Sequence, residues 1–178
     1  EQDDGGFTYY GTYTAYSGKA ISSEILETRD FETFELRPLQ GSAARNKGMA
    51  LFPRSFDGDY LMIGRQDGES LYLLRSSDLN RWEHGELLAR PEYAWELIQI
   101  GNCGSPIELE EGWLVLTHGV GAMRKYSIGA LLLDRDDPSR VIGRTAVPLL
   151  SPSDEAREGY VPNVVYTCGA LAPAGRLI

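Results

Sequence analysis

A unit of about 54 residues, the spacing from Gly58 to Gly112, recurs along the chain and limits its fold more than any other feature. Each unit has an apolar strand that ends in small or polar residues, a short loop, a second strand, an Asp-containing turn and a third strand. The first strands and loops read FTYYGTYTAYSG, DYLMIGRQDG and GWLVLTHGVG, and the turns read TRDF, SSDL and DRDD. A single sheet of this kind cannot bury both of its faces, so consecutive units must stack on one another.

The repeat predicts an all-β chain whose sheets stack radially as the blades of a β-propeller. Residues 1–178 supply roughly three blades and part of a fourth, which starts at NVVYTCGALAPAGRLI. Because propellers close with four to eight blades, we expect one partial propeller domain within a longer protein. A two-sheet sandwich is the alternative. The propeller is favoured because the Asp turns recur in register, and each Asp can accept hydrogen bonds from the amides of its own turn.

The amino-acid composition argues against two classes of binding partner. Acidic residues outnumber basic ones by 26 to 17, and the net charge of −9 argues against binding to nucleic acid or to anionic membranes. The sequence shows no membrane-spanning run and no signal peptide, so we expect a cytoplasmic location. Cys103 and Cys168 are predicted to be buried free thiols. Phosphate-cradling glycine loops, metal-binding motifs and an EF-hand loop are all missing from the sequence.

The segment RNKGMALFPR, Arg45–Arg54, places cations and an amide directly against the apolar run from Met49 to Phe52. Pro53 then prevents a simple continuation as a central strand. Cations beside a short buried strand need anionic partners or solvent. This segment is therefore predicted to form the edge of a site.

Alignment of YLMIGR with WLVLTH places Arg65 and His118 at equivalent positions of two blades. Lys47 and Asn102 each lie just before the innermost strand of a blade, so all four side chains are expected near one mouth of the central channel. Arginine, lysine and histidine together suit phosphate or carboxylate oxygens. An ion pair between Arg65 and Asp67, or a core position for His118, are the structural alternatives.

Other notable residues fit structural roles. Tyr126, taken singly, is predicted to pack. Trp82 and Trp113 are predicted to lie in the core. The window Pro91–Gln99 lacks a sustained apolar stripe, so we expect a loop or a single helical turn.

Four long segments of the chain resemble glycoside hydrolase family 130, the β-mannoside phosphorylases and related hydrolases. They are NKGMALFPR, GNCGSPIELEEGWLVLTHGV, KYSIGALLLDRDDPSRVIGR and EGYVPNVVYTCGA. The resemblance implies a five-bladed β-propeller that cleaves β-mannosides with inorganic phosphate and inversion, releasing α-mannose 1-phosphate. It implies no cofactor, because phosphate is a co-substrate, and it makes a β-mannoside oligosaccharide the other partner.

The resemblance also implies roles for individual residues. The phosphate ligands would be Lys47, Arg65, His118 and Tyr126, with Arg45 as an addition. Asn46, Asp67, Asn102 and Asn163 would face the sugar. A carboxylic acid on the opposite face of the sugar would protonate the leaving group, in this family by way of the mannosyl 3-hydroxyl. That acid is expected upstream of Glu1 and is not assigned to Asp3 or Asp4, so residues 1–178 alone are expected to be inactive.

Two other functions remain open at the level of sequence. A β-mannoside hydrolase of the same family would use glutamates and tends to lack the basic set. A non-catalytic carbohydrate-binding propeller would bind sugar without phosphate. The sugar linkage is open as well, and a homo-oligomer is one way to cover the exposed blade edges.

Overall fold

The computed structural model describes residues 6–153 and 159–178, and within them the chain is built from strands and short 3-10 turns. The strands are β1 (Tyr9–Tyr16), β2 (Ile21–Thr28), β3 (Glu35–Pro38), β4 (Ala50–Leu51), β5 (Tyr60–Gly64), β6 (Leu71–Ser76), β7 (Gly85–Ala89), β8 (Gln99–Asn102), β9 (Ile107–Glu108), β10 (Trp113–Val120), β11 (Tyr126–Leu133) and β12 (Val141–Arg144). The all-β prediction is confirmed. No helix in this part of the chain is long and apolar enough to cross a membrane.

The strands form three antiparallel sheets that follow the repeat. The first sheet has the order β1-β2-β3, the second β4-β5-β6-β7, and the third β8-β10-β11-β12 with β9 paired to β10. Each complete sheet therefore starts with an inner strand and proceeds outwards in chain order, as a propeller blade does. The first sheet lacks a strand on the free edge of β1 within the described residues.

The middle sheet is buried on both faces, which is the feature that separates radial stacking from a two-layer sandwich. Leu61 and Ile63 of β5 pack into a core shared with Ile100, Trp113 and other residues of the third sheet. Met62, between them, packs instead into a core shared with Ile25 of the first sheet and with Leu39, Ala43 and Ala44 of the linker that follows it. Successive side chains of a strand point to opposite faces, so β5 serves two cores at once. The open, partial propeller that was predicted is confirmed.

The Asp turns are built as the sequence predicts. Asp30 accepts hydrogen bonds from the backbone N–H groups of Glu32 and Thr33 at 2.9 and 2.8 Å. Asp78 accepts one from Asn80 N–H at 2.9 Å. In the third blade Asp134, at the turn position of Thr28 and Ser76, accepts from the N–H groups of Asp136 and Asp137 at 3.0 and 3.1 Å. The amides of Thr33 and Glu32 hold the pKa of Asp30 near 2. The turns thus recur because in each blade an Asp carboxylate accepts hydrogen bonds from backbone N–H groups of its own turn.

Three further expectations have mixed outcomes. Trp82 and Trp113 are fully buried, as predicted. The window around residue 95 forms a single 3-10 turn, Ala94–Glu96. Cys103 is buried, but the prediction for Cys168 is wrong, because its thiol belongs to an exposed segment after the last blade.

Residues 163–178, where part of a fourth blade is predicted, form no regular strand. Pro173–Gly175 is a 3-10 turn, and Leu171 and Ile178 on either side of it exchange both backbone hydrogen bonds at 3.0 and 2.8 Å. The one further sheet contact is an isolated parallel bridge between Tyr126 and Val164. No neighbouring strand pairs with this segment among the described residues. It therefore forms a turn closed by one hydrogen-bonded pair of residues.

Candidate functional site

A cavity of about 270 Å³ lies at one mouth of the partial propeller, where loops of neighbouring blades meet. It is lined by side chains from all three blades and from the segment that follows them: Thr14, Lys47, Gly48, Arg65, Gln99, Asn102, His118, Tyr126 and Tyr166. A larger trough of about 740 Å³ adjoins it along the free edge of β1 and shares Thr14, Gly48, Asn102 and Tyr166 with it. None of the nine lining residues carries a carboxylate.

Lys47 reaches the cavity from the linker between the first two blades. The 3-10 turn Ala43–Arg45 is buried through its alanines, and Asn46 then extends the chain and accepts a hydrogen bond from the Lys47 backbone N–H at 2.8 Å. Gly48 follows with φ +87°, a conformation that favours glycine. A Cβ at Gly48 would lie 3.0 Å from Cδ of Arg65 and 3.3 Å from Oδ1 of Asn102, so the backbone passes close to both side chains.

Arg65 directly follows β5 and is 2% exposed. One terminal nitrogen, Nη2, donates to the carbonyl of Gly68 at 2.5 Å, whereas the buried Nε has no partner within the chain. Burial lowers the pKa of this guanidinium, and Tyr166, Tyr126 and Asp67 act in the opposite direction. Because the unperturbed pKa is above 12, the side chain keeps its charge and has a donor left to offer.

Asn102 ends β8, the inner strand of the third blade, and is 6% exposed. Its Nδ2 donates to the Gly104 carbonyl at 3.4 Å, but its buried Oδ1 accepts no hydrogen bond. A buried acceptor without a partner is costly, typically about 1–3 kcal/mol. Asn102 borders both cavities, so this oxygen is a ready acceptor for a ligand hydroxyl.

His118 of β10 lies beside Arg65 in a tight enclosure. Its ring is nearly parallel to Tyr126, with centroids 6.1 Å apart, and lies 4.9 Å from the ring of Tyr166. A Cβ at Gly101, its partner across the strands, would lie 2.4 Å from the imidazole, so glycine is required there. Burial, together with the charges of Arg65 and Lys47, lowers the pKa of His118 to about 4, although the contact with the Asn102 backbone acts in the opposite direction. His118 is therefore neutral at neutral pH.

Five of the residues that the sequence singled out come together in this cavity: Lys47, Arg65, Asn102, His118 and Tyr126. Equivalent positions in the repeat explain why Arg65 and His118 meet. The proposed pairing of Arg65 with Asp67 does not form, because the carboxylate of Asp67 accepts instead from the amides of Glu69 and Ser70 at 2.8 and 2.7 Å.

The other predicted residues lie outside this cavity. Asp67 closes its own turn and also accepts from the Tyr72 hydroxyl. Arg45 is exposed on the preceding 3-10 turn. Asn46 packs beside Gly68, and Asn163 lines a separate cavity behind Tyr126. Asp3 and Asp4 lie outside the described residues.

Sequence reasoning missed three lining residues, Thr14, Gln99 and Tyr166. Thr14 could have been found, because the first unit of the repeat brings TYTAY to the same mouth as Arg65 and His118. Gln99 and Tyr166 carry no such signal, since one begins an inner strand and the other follows the last blade without a regular element.

The fold and the site together define a partial β-propeller with two cations and a neutral histidine converging on one small cavity. The chain belongs to glycoside hydrolase family 130, described as β-1,4-mannooligosaccharide phosphorylase, with the match covering residues 5–178. The solved members of the family are five-bladed β-propellers, and this chain covers part of one.

Individual relatives agree with the family assignment. The chain is 34% identical over 175 residues to a β-1,2-mannobiose phosphorylase of Listeria innocua, covering 93% of this chain and 48% of that protein. It is 38% identical over 126 residues to a 1,2-β-oligomannan phosphorylase of Thermoanaerobacter sp., covering 70% of this chain and 42% of that protein. The Listeria enzyme in complex with β-1,2-mannobiose superposes with a TM-score of 0.79 at 31% identity, over 92% of this chain and 48% of that structure. The chain thus spans about half the length of the relatives it matches.

Proposed function

We propose that the protein containing this chain is an inverting β-mannoside phosphorylase, which transfers a mannosyl group to inorganic phosphate and releases α-mannose 1-phosphate. The observation that carries the proposal is the cavity itself. Lys47, Arg65 and His118 converge there from different strands and loops, and none of the lining side chains among the described residues carries a carboxylate. Such a cavity suits a multiply charged oxyanion better than it suits the lone water of a hydrolase.

Phosphate would be held by charge and by directed donors. Arg65 offers its buried Nε, which has no partner within the chain, and Lys47 offers an ammonium group from the more exposed side. Neutral His118 and the Tyr126 hydroxyl add uncharged donors. These groups lower the cost of removing phosphate from water and fix one oxygen for attack on the anomeric carbon.

The mannosyl group would lie where the two cavities join. Asn102 borders both, and its free Oδ1 can accept a hydrogen bond from a sugar hydroxyl. Attack from the phosphate side with departure on the other side inverts the anomeric centre. None of the nine lining residues is a carboxylic acid, so the acid that protonates the leaving group must come from elsewhere in the protein.

For the linkage, we propose β-1,2-mannosides as the preferred substrates. The family description names β-1,4-mannooligosaccharides, but the two relatives compared above act on β-1,2-linked mannosides by name. The proposal rests on these relatives and not on a contact within the cavity.

The test uses the intact protein with β-1,2- and β-1,4-mannobiose, each with and without phosphate. We expect mannose 1-phosphate and mannose from the β-1,2 substrate, only when phosphate is present. Free mannose at the same rate without phosphate would show a hydrolase. Sugar binding without cleavage, in a protein with no activity on either substrate, would show a carbohydrate-binding propeller.

A further inference from the structure

Cys103 lies behind His118 and has no role in the reaction proposed above. It follows β8, is 3% exposed, and its backbone N–H donates to the Leu116 carbonyl at 2.9 Å, which extends the pairing of β8 with β10. Its Sγ lies 3.8 Å from Nδ1 of His118. This thiol is the side-chain hydrogen-bond partner of that ring nitrogen, and the Asn102 backbone also contacts the ring.

The thiol is protonated in this setting, so it is able to donate a hydrogen bond to Nδ1. Burial raises the pKa of Cys103 to about 12, even though the Thr167 backbone N–H lowers it, so the sulfur keeps its proton. A neutral imidazole has one N–H and one bare nitrogen. If the thiol donates to Nδ1, the ring proton resides on Nε2.

The ring has little freedom to choose another arrangement. Gly101 leaves no space for a side chain beside it, and Tyr126 and Tyr166 confine its faces. Within such an enclosure, the group that bonds Nδ1 decides which nitrogen can donate to a ligand. A bare Nε2 would repel an oxyanion, whereas an Nε2–H would bind it.

We propose that Cys103 is a positioning residue, whose thiol holds Nδ1 of His118 so that the imidazole presents an Nε2–H donor to the oxyanion in the cavity. The proposal rests on the proposed function for the identity of that oxyanion as phosphate. It does not rest on it for the state of the ring, which can be measured separately.

The experiment compares three variants of the intact protein: Cys103→Ala, Cys103→Ser and Cys168→Ala. Cys103→Ala removes the donor, so we expect KM for phosphate to rise about three- to tenfold, the size of one neutral hydrogen bond, with a smaller change in KM for the mannoside. Cys103→Ser keeps a donor and should recover most of the phosphate affinity. Cys168→Ala is the matched thiol control for phosphate, because this exposed thiol lines the larger trough and not the 270 Å³ cavity, and it should leave KM for phosphate unchanged.

The tautomer provides the second measurement. Long-range ¹H–¹⁵N NMR spectra of histidine-labelled protein, with the signal assigned by its loss in His118→Gln, should show the Nε2–H form in wild type and in Cys103→Ser. In Cys103→Ala we expect the Nδ1–H form or a mixture. An Nε2–H ring that persists unchanged in Cys103→Ala, or an equal rise in both KM values, would overturn the proposal.

The two proposals fail in different ways. If no phosphorolysis occurs in wild type, the proposed function fails, and the NMR spectrum still decides whether Cys103 controls the ring. If Cys103→Ala proves unstable in thermal unfolding, Cys103→Ser decides: an Nδ1–H ring in a folded Cys103→Ser would contradict the positioning role.

Discussion

Two residues at equivalent positions of the repeat differ in charge within the same cavity: one is positive and the other is neutral. Arg65 and His118 end the corresponding stretches of two blades, and both are almost fully buried. Burial leaves the guanidinium charged because its reference pKa is so high, whereas it moves the imidazole far below neutral pH. The cavity therefore combines a fixed positive charge with a neutral donor.

Replacing Arg65 tests the main electrostatic contact with phosphate. Arg65→Ala should raise KM for phosphate about 10- to 100-fold, the size of a charge-assisted hydrogen bond of about 1.5–3 kcal/mol. Arg65→Lys should recover only part of this loss, because an ammonium group cannot reproduce the guanidinium donors. Steady-state kinetics with phosphate as the varied substrate measure both.

The control for this prediction is Arg54→Ala. Arg54 belongs to the same basic segment but lies over the rings of Phe56 and Trp113 and pairs with Glu108. It should leave KM for phosphate unchanged. Equal effects of the Arg54 and Arg65 replacements would contradict a specific phosphate contact.

The depressed pKa of His118 predicts a pH-dependent loss of stability. The unfolded state protonates this histidine below pH 6.5, but the folded state resists protonation until about pH 4. Stability is therefore lost as pH falls through this window, by about 2 kcal/mol between pH 7.5 and 5. Among the described residues, the groups that face the ring are Arg65, Lys47, Cys103, the two tyrosines and the Asn102 backbone, none of which is a carboxylate.

Urea unfolding of the intact protein at pH 7.5 and 5 measures this loss. His118→Gln should show a free energy of unfolding that falls about 2 kcal/mol less than wild type over this range. The exposed His84 provides the control, since His84→Gln should retain the wild-type dependence. A wild-type dependence in His118→Gln would show that the imidazole is not held neutral.

At the scale of secondary-structure elements, the packing of one indole ring explains two glycines, Gly119 and Gly129, that the sequence alone does not explain. Trp95, in the linker between the second and third blades, lies over β10 and β11. A Cβ at Gly119 or Gly129 would come within 2.5 and 2.4 Å of its ring. The indole N–H donates to the Ala146 carbonyl at 3.1 Å, so the ring also fixes the linker after β12. Trp95 is thus a packing residue.

Gly129→Ala tests this packing. The added methyl would meet both the Trp95 ring and Thr145 Oγ1, at 2.4 and 2.8 Å, so we expect a loss of about 1–3 kcal/mol from overpacking. Gly143→Ala in the neighbouring strand β12 is the control, because its nearest contact is 3.3 Å from the Leu132 side chain. Denaturant unfolding compares the two, and equal stabilities would contradict a rigid Trp95.

The same linker carries a buried ion pair. Glu96 is fully buried and accepts from Arg144 at 2.6 Å, and Arg144 also contacts Glu92 at 3.0 Å. The bond joins the linker before β8 to β12 and so helps to fix the start of the strand that carries Asn102.

Removing one partner of this pair should be costly. Arg144→Met leaves the Glu96 carboxylate buried without compensation, and we expect a loss of about 3–5 kcal/mol. The double variant Glu96→Gln/Arg144→Met should regain much of it. Arg140→Met, which breaks only the exposed pair with Asp134, is the control and should change the free energy of unfolding by less than about 1 kcal/mol. A similar small effect of Arg144→Met would contradict the role of the pair.

For the whole molecule, radial stacking brings residues far apart in sequence to one mouth. Arg65 directly after β5, His118 near the end of β10 and Lys47 in the linker before β4 all reach the same cavity, so they converge without being neighbours in the chain. The repeat could predict this convergence because equivalent positions of a repeat occupy equivalent positions in space. It could also predict the Asp turns, which depend only on local hydrogen bonds.

What the sequence could not predict depends on contacts between units. Asp67 looked like a site residue but satisfies its own turn, and Tyr166 looked unremarkable but reaches the cavity from beyond the last blade. The role of Trp95 depends on two strands whose separation only the folded sheets define. Such contacts carry no periodic signal, so only the three-dimensional arrangement reveals them.

The most direct test of the central claim is the dependence of β-mannoside cleavage on phosphate concentration, followed in the intact protein by ³¹P and ¹H NMR. We predict that cleavage of β-1,2-mannobiose requires phosphate, saturates with it, and yields α-mannose 1-phosphate as the first new phosphorus signal. Cleavage to free mannose at a rate independent of phosphate would contradict the assignment of the cavity as a phosphate site.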